Sequence, residues 1–231
     1  MTKEVKYSFF EHMQTERPEI AVLTGDLIAS TTLSTDQQQA AMACLEETAQ
    51  QIANWPNCRV SFAVRGGDGW QMALSPAPLG LRAALMLRAA LRALGKSHDS
   101  RIAIAAGTDD WPQDDNPNTS RGPVYVTSGR QLEAMKGDST LHWGGGALGA
   151  ATVLADHIVQ SWTVAQARSL CLQLPPHAPK RADIAATLGV SRQSVNKALW
   201  AAGYPTLSEA LQMIETLPLV KQAEHAERAD D

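Results

Sequence analysis

Only three cysteines occur among 231 residues, and Cys44, Cys58 and Cys171 stand too far apart to suggest a metal site or a disulfide framework. They are expected as buried, reduced thiols. No long apolar run exists either. The longest, Leu79 to Leu94, is broken by Arg82, Arg88 and Arg92, which excludes a comfortable bilayer span and puts those arginines on a solvated helix face. The opening MTKEVKYSFFEHM lacks the apolar stretch of a signal peptide, so a soluble, cytoplasmic chain with no membrane partner is expected. His98, His142, His157 and His177 have no Cys or acid at ligand spacing, which argues against zinc. Neither a Gly-x-Ser-x-Gly elbow nor a Walker-type Gly-Lys-Ser/Thr loop is present. The six tryptophans are dispersed and read as core or domain-interface residues, not as a stacking platform.

What is there supports a packed protein. The hydrophobic fraction is 44%, enough for a real core. The net charge of −4 is unevenly spread. Thr163 to Tyr204 carries five basic residues against one acid, whereas residues 1–162 and the stretch from Pro205 onward are each acidic. A basic island in an acidic chain is the footprint of a nucleic-acid-contacting module.

The order of elements predicts an α+β chain. Strands are expected at Glu19–Leu27, Arg59–Val64, Trp70–Leu74 and Arg101–Ala106, with a last one at Leu141–Gly146. Gly66-Gly67-Asp68-Gly69 is a hairpin signal. Ser34 and Gln37 form a capping box for a helix to about Asn54. Pro76 and Pro78 introduce another helix, ended by Gly95 as its C′ residue. Thr108 to Arg121 reads as a long exposed loop, and helices follow over 123–136 and 147–160. This β-α-β-β-α-β order is the split βαβ plan of a ferredoxin-like domain, with helices on one face and the other face open. Three units are expected: a ferredoxin-like domain over 1–160, an all-α helix-turn-helix domain over 161–219 and a charged, frayed tail over 220–231.

The second unit rests on RADIAATLGVSRQSVNKALW, Arg181 to Trp200. Ile184, Leu188, Val190 and Val195 are apolar where two crossed helices bury contacts, Ala185 is small at their approach, and Gly189 falls in the turn. Ser191 is an N-cap. The second helix offers Ser191, Arg192, Gln193, Ser194, Asn196 and Lys197 to a major groove, with Lys180 and Arg181 toward phosphates. Thr206 and Glu209 are expected to cap a last helix through Leu211, Ile214 and Leu217.

Two carboxylates carry the chemistry of the first unit. Asp26 ends the first strand in TGDLIAST and Asp68 sits at the hairpin tip in RGGDGWQ. In a split βαβ sheet these ends are neighbours, and two adjacent carboxylates call for a cation. Magnesium suits them, because it binds one or two carboxylates plus phosphate oxygens.

TGDLIAST, GGDGWQ, the strand RIAIAAG and GPVYVTSGRQLEAM resemble, in that order and over residues 19–145, the SatD family and more distantly the class III nucleotidyl cyclases and GGDEF-type palms. The resemblance implies that Asp26 and Asp68 hold Mg2+ or Mn2+ over a nucleoside triphosphate and that Arg130 stabilises charge developing on the phosphates. The chain also departs from that pattern. Val126 stands where cyclases carry an Asn, Thr119 where a base-reading Asp or Cys is expected, and Gly69 where GGDEF-type palms have an acid; no basic residue near the triphosphate tail is identifiable.

The main functional expectation is a DNA-binding transcriptional regulator, a homodimer whose cyclase-like domain senses a nucleotide and whose partner is double-stranded DNA. The alternative is a metal-dependent nucleotide cyclase or nucleotidyltransferase regulated by its helical C-terminal unit. A third reading is an interaction protein that uses the helix-turn-helix for docking.

Overall fold

Strand β1 (Glu19–Leu27) is apolar without alternation, the signature of a strand buried on both faces. In the computed structural model, which describes residues 17–216, it lies between β3 (Gly69–Ser75) and β4 (Ser100–Thr108). The full order is β2-β3-β1-β4-β5, with β2 over Arg59–Arg65 and β5 over Leu141–Trp143. Each neighbouring pair among the first four strands is antiparallel, and β5 runs parallel to β4.

The two faces of β1 divide the core. Ala21 and Leu23 join the large cluster formed with α1 (Thr35–Ala53) and α2 (Gly80–Leu94). Ile20 and Val22 join a smaller one with Val124 and Tyr125 of α3 (Pro123–Ala134). The second face is therefore not open, as the sequence led us to expect, because α3 returns across β1 and β4 and seals its upper half. Asp109 holds α3 there. Its buried carboxylate accepts from the N–H groups of Val124 at 2.9 Å and Asp110 at 2.8 Å, an acid satisfying a helix N-terminus. Gly122 makes this cap fit, since a Cβ there would lie 1.9 Å from the Asp109 carboxylate.

Local signals hold where hydrogen bonds make them. Ser34 and Gln37 form the expected capping box of α1. Gly95 does not act as a left-handed cap; its backbone is extended (φ 166°). The larger correction concerns α2. Arg82 and Arg88 are buried, because α2 is enclosed by α1, α5 and the sheet, leaving no solvated face. Both arginines are matched by acids: Arg82 by Glu215, Arg88 by Asp99 and Asp156.

The C-terminal helices are α4 (Gly146–Gln160), α5 (Val164–Gln173), α6 (Arg181–Leu188), α7 (Arg192–Ala201) and α8 (Tyr204–Glu215). Leu170, Leu174, Ile184, Leu199 and Leu211 belong to the same apolar cluster as the sheet and α2. Arg82 fastens them, donating to both oxygens of Glu215 and to the Leu174 carbonyl. Gly189 turns between α6 and α7 in the left-handed region (φ 65°), and Ser191 caps α7 by accepting from the Ser194 N–H. Val190, expected in the packing, is 47% exposed, because the turn carries it outside the helix pair. The last helix starts at Tyr204, earlier than Thr206, with Gly203 in the left-handed region as its N-cap and Pro205 in its first turn; Pro is tolerated there because its missing N–H would be unpaired anyway. Leu217 and the 220–231 tail lie outside the described residues.

The cysteines are half-buried and free. Burial raises all three thiols, Cys58 to about 11 and Cys171 to about 12, so none supplies a reactive thiolate. No helix among the described residues is long and apolar enough to cross a membrane.

Candidate functional site

The register of β1 decides whether the two aspartates meet. Asp26 pairs with Gly69 on one side and Arg101 on the other. Asp68 is the residue before Gly69, and its carbonyl accepts from the Leu27 N–H at 3.0 Å. The two acids therefore share one end of the sheet. Asp68 Oδ2 accepts from the Ser30 hydroxyl at 2.6 Å. Asp26 receives both forks of Arg101, Nε at 3.0 Å on Oδ1 and Nη2 on Oδ2. The Asp26 hydrogen bond raises the Arg101 pKa against the opposing effect of burial, and the charges of Asp26 and Asp68 add to the rise.

Arg101 is the site residue that the sequence reading missed. The available signal was positional: a charged residue opening an apolar strand of the same length as β1, which antiparallel pairing sets opposite Asp26. Arg101 also lines a cleft of about 500 Å³ together with Ile28, Ala29, Arg92, Asp99 and Ser139. Ala29 turns the β1–α1 connection with φ +52°, a backbone state unusual for a residue with a Cβ.

Among the described residues no cluster of three or more His, Cys, Asp or Glu side chains forms a metal cage. The donors present are two carboxylates and a hydroxyl. They fit a hard divalent ion that completes its shell with phosphate oxygens and water, and not an ion held by protein alone.

Helix α3 roofs the same face. Thr24, two residues before Asp26, bonds the Ser128 hydroxyl at 2.7 Å and accepts from Gln71 Nε2 at 2.9 Å. This buried polar row ties β1, β3 and α3 together just above the acids. Arg130, two residues beyond Ser128, is exposed and makes no hydrogen bond or ion pair among the described residues. Asp26 is engaged by Arg101 instead.

The residues expected at DNA lie elsewhere. Ser191, Arg192, Gln193, Ser194 and Lys197 are exposed on α7 and its N-cap, and Lys180 is exposed at the start of α6. Asn196, expected to read a base, accepts from Arg181 Nη1 at 2.8 Å through its side-chain oxygen, and Ser191 and Ser194 bond each other. Four of the eight residues are thus already spent on one another or on the cap.

No family model matches the chain, and no curated protein matches it. Solved structures do. One is the catalytic core of a rhodopsin-guanylyl cyclase with converted specificity, in complex with ATPalphaS: 20% identity over 56% of this chain and 78% of that one, TM-score 0.40. Another is the guanylyl cyclase Cya2: 14% identity over 61% and 79%, TM-score 0.40. The main functional expectation is corrected on this finding, since the similar structures are guanylyl cyclases, the class of the alternative. The transcriptional regulator and its double-stranded DNA partner are withdrawn, together with the DNA contacts assigned to α6 and α7. The argument for a homodimer from paired half-sites goes with them.

Proposed function

We propose that this chain is a metal-dependent nucleotide cyclase or nucleotidyltransferase whose palm, assigned to residues 1–160, is regulated by the helical unit assigned to 161–219; residues 1–16 and 217–219, like the charged segment 220–231, lie outside the described residues. The observation that supports this reading is the pairing of Asp26 with Gly69, which brings Asp26 and Asp68 to the same end of the sheet. We read β2-β3-β1-β4 as the split βαβ plan and α6–Gly189–α7 as a helix-turn-helix within the regulatory unit.

In this reading Asp26 and Asp68 would hold Mg2+ or Mn2+, and the ion would supply neutralising charge to the phosphates of a nucleoside triphosphate. Arg101, paired with Asp26 in the described state, would add a further cation beside the phosphates. Arg130 approaches from α3, and its exposed guanidinium supplies charge where negative charge grows during phosphoryl transfer. The regulatory link runs through α2, whose buried Arg82 binds Glu215 of α8.

The test is incubation of the purified chain with each of the four common nucleoside triphosphates and either ion, reading cyclic nucleotide or released pyrophosphate. Turnover is expected with at least one nucleotide and falls by about 100-fold or more on Asp26→Asn or Asp68→Asn. Absence of product in all eight combinations refutes the enzyme.

A further inference from the structure

Resting on that reading of the site, we infer that Arg65 is a phosphate-binding residue, closing from β2 on the polyphosphate held at Asp26 and Asp68. One cross-strand row carries the inference. Arg65 pairs with Gly69, Gly69 with Asp26, and Asp26 with Arg101. Read across the sheet, the row is cation, no side chain, anion, cation. Side chains opposite one another in an antiparallel sheet share a face. That face is the α3 face, because Ala63 and Ser61, which precede Arg65 at spacings of two, oppose Gln71 and Ala73 on it.

Two further features point the same way. Arg65 is exposed and its side chain has no hydrogen bond or ion pair among the described residues, whereas the cation at the other end of the row, Arg101, is tied to Asp26. Its guanidinium extends toward α3 at Gly129, where a Cβ would lie 4.0 Å from Nη1. Both positions bordering the gap, Gly69 below and Gly129 above, thus have no side chain. Neighbouring strands lie about 4.8 Å apart, so the Arg65 and Asp26 backbones are separated by about 10 Å. That span accommodates a phosphate group on the guanidinium fork and an ion on the carboxylate. Arginine suits the position because its planar fork binds two phosphate oxygens at once.

The ligand class is therefore a polyphosphate, and the nucleoside part makes no demand on Arg65. Calorimetry with inorganic triphosphate and Mn2+ separates these contributions. Arg65→Ala should weaken triphosphate binding about ten- to a hundred-fold, and Arg65→Lys should recover part of it. The melting temperature should stay that of the unaltered chain, since Arg65 is exposed. Affinity of Arg65→Ala within twofold of the unaltered chain, while Asp26→Asn loses binding, overturns the role of Arg65 and leaves the proposed function standing. Equal weakening toward a nucleoside lacking phosphates overturns it as well. If the unaltered chain binds no triphosphate with Mn2+, the role of Arg65 and the metal-nucleotide site fall together.

Discussion

Arg88→Ala will unfold this protein at much milder conditions than any substitution at the candidate site. The Arg88 side chain is 1% exposed. Its Nε and Nη2 grip Asp99 at 2.8 and 2.7 Å, and Nη1 reaches Asp156 at 3.1 Å and the Thr140 hydroxyl. Asp99 keeps Arg92 at 2.6 Å when Arg88 is removed. Among the described residues Asp156 keeps no cation, only the N–H and hydroxyl of Thr140 and the amide of Gln160. A buried carboxylate stripped of its cation costs about 3–5 kcal/mol. For a chain of this size that lowers Tm by roughly 10 °C or more. Adding Asp156→Ala removes the stranded charge, so the double variant should lose less than the two single losses combined. Thermal and urea unfolding of the four proteins measure this; a loss below about 1 kcal/mol for Arg88→Ala would contradict it. Arg101→Ala offers the contrast. Its side chain is 41% exposed, and ion pairs of that kind contribute about 0–1 kcal/mol.

The same arginines show what a linear reading can and cannot see. Arg82, Arg88 and Arg92 recur along α2 at helical spacing, which fits a solvated stripe equally well as a set of buried anchors. The difference lies in acids distant in sequence: Glu215 is 133 residues from Arg82, and Asp156 is 68 from Arg88. Hairpin, capping box and the left-handed Gly189 were legible because each is fixed by residues within a few positions of one another. That Asp26 and Asp68 share one sheet end was legible because the order β-α-β-β limits where the first strand can lie. Arg101 was not, since its role follows from the nine-residue pairing of β1 with β4. The covered second face was missed for a related reason. Val124 and Tyr125 look like any two apolar residues until α3 is known to return over β1. The basic stretch around α7 was legible as charge, but that charge and the helix-turn-helix spacing together assigned it the double-stranded DNA partner withdrawn above.

Gly25→Ala is expected to disable the candidate site from beneath while leaving every site side chain in place. Gly25 pairs with Trp70 on β3 and Ile102 on β4, on the face opposite Asp26. The Trp70 indole, fully buried, lies across it and donates from Nε1 to Ser100 Oγ at 3.1 Å. A Cβ at Gly25 would sit 2.5 Å from Trp70 Cε2 and Cζ2 and 2.6 Å from the Arg101 carbonyl. Overpacking of this kind costs about 1–3 kcal/mol, at times more. Trp70→Ala errs in the other direction and should cost about 3–5 kcal/mol through the cavity it leaves. The two clashes at Gly25 differ in kind. The indole can be replaced, but the Arg101 carbonyl belongs to the strand that presents the guanidinium to Asp26. Trp70→Phe should therefore fail to restore either stability or triphosphate binding to Gly25→Ala, because the collision with β4 remains. Recovery of both by Trp70→Phe would show that the ring alone requires glycine before Asp26, and that β4 can shift without disturbing the Asp26–Arg101 pair.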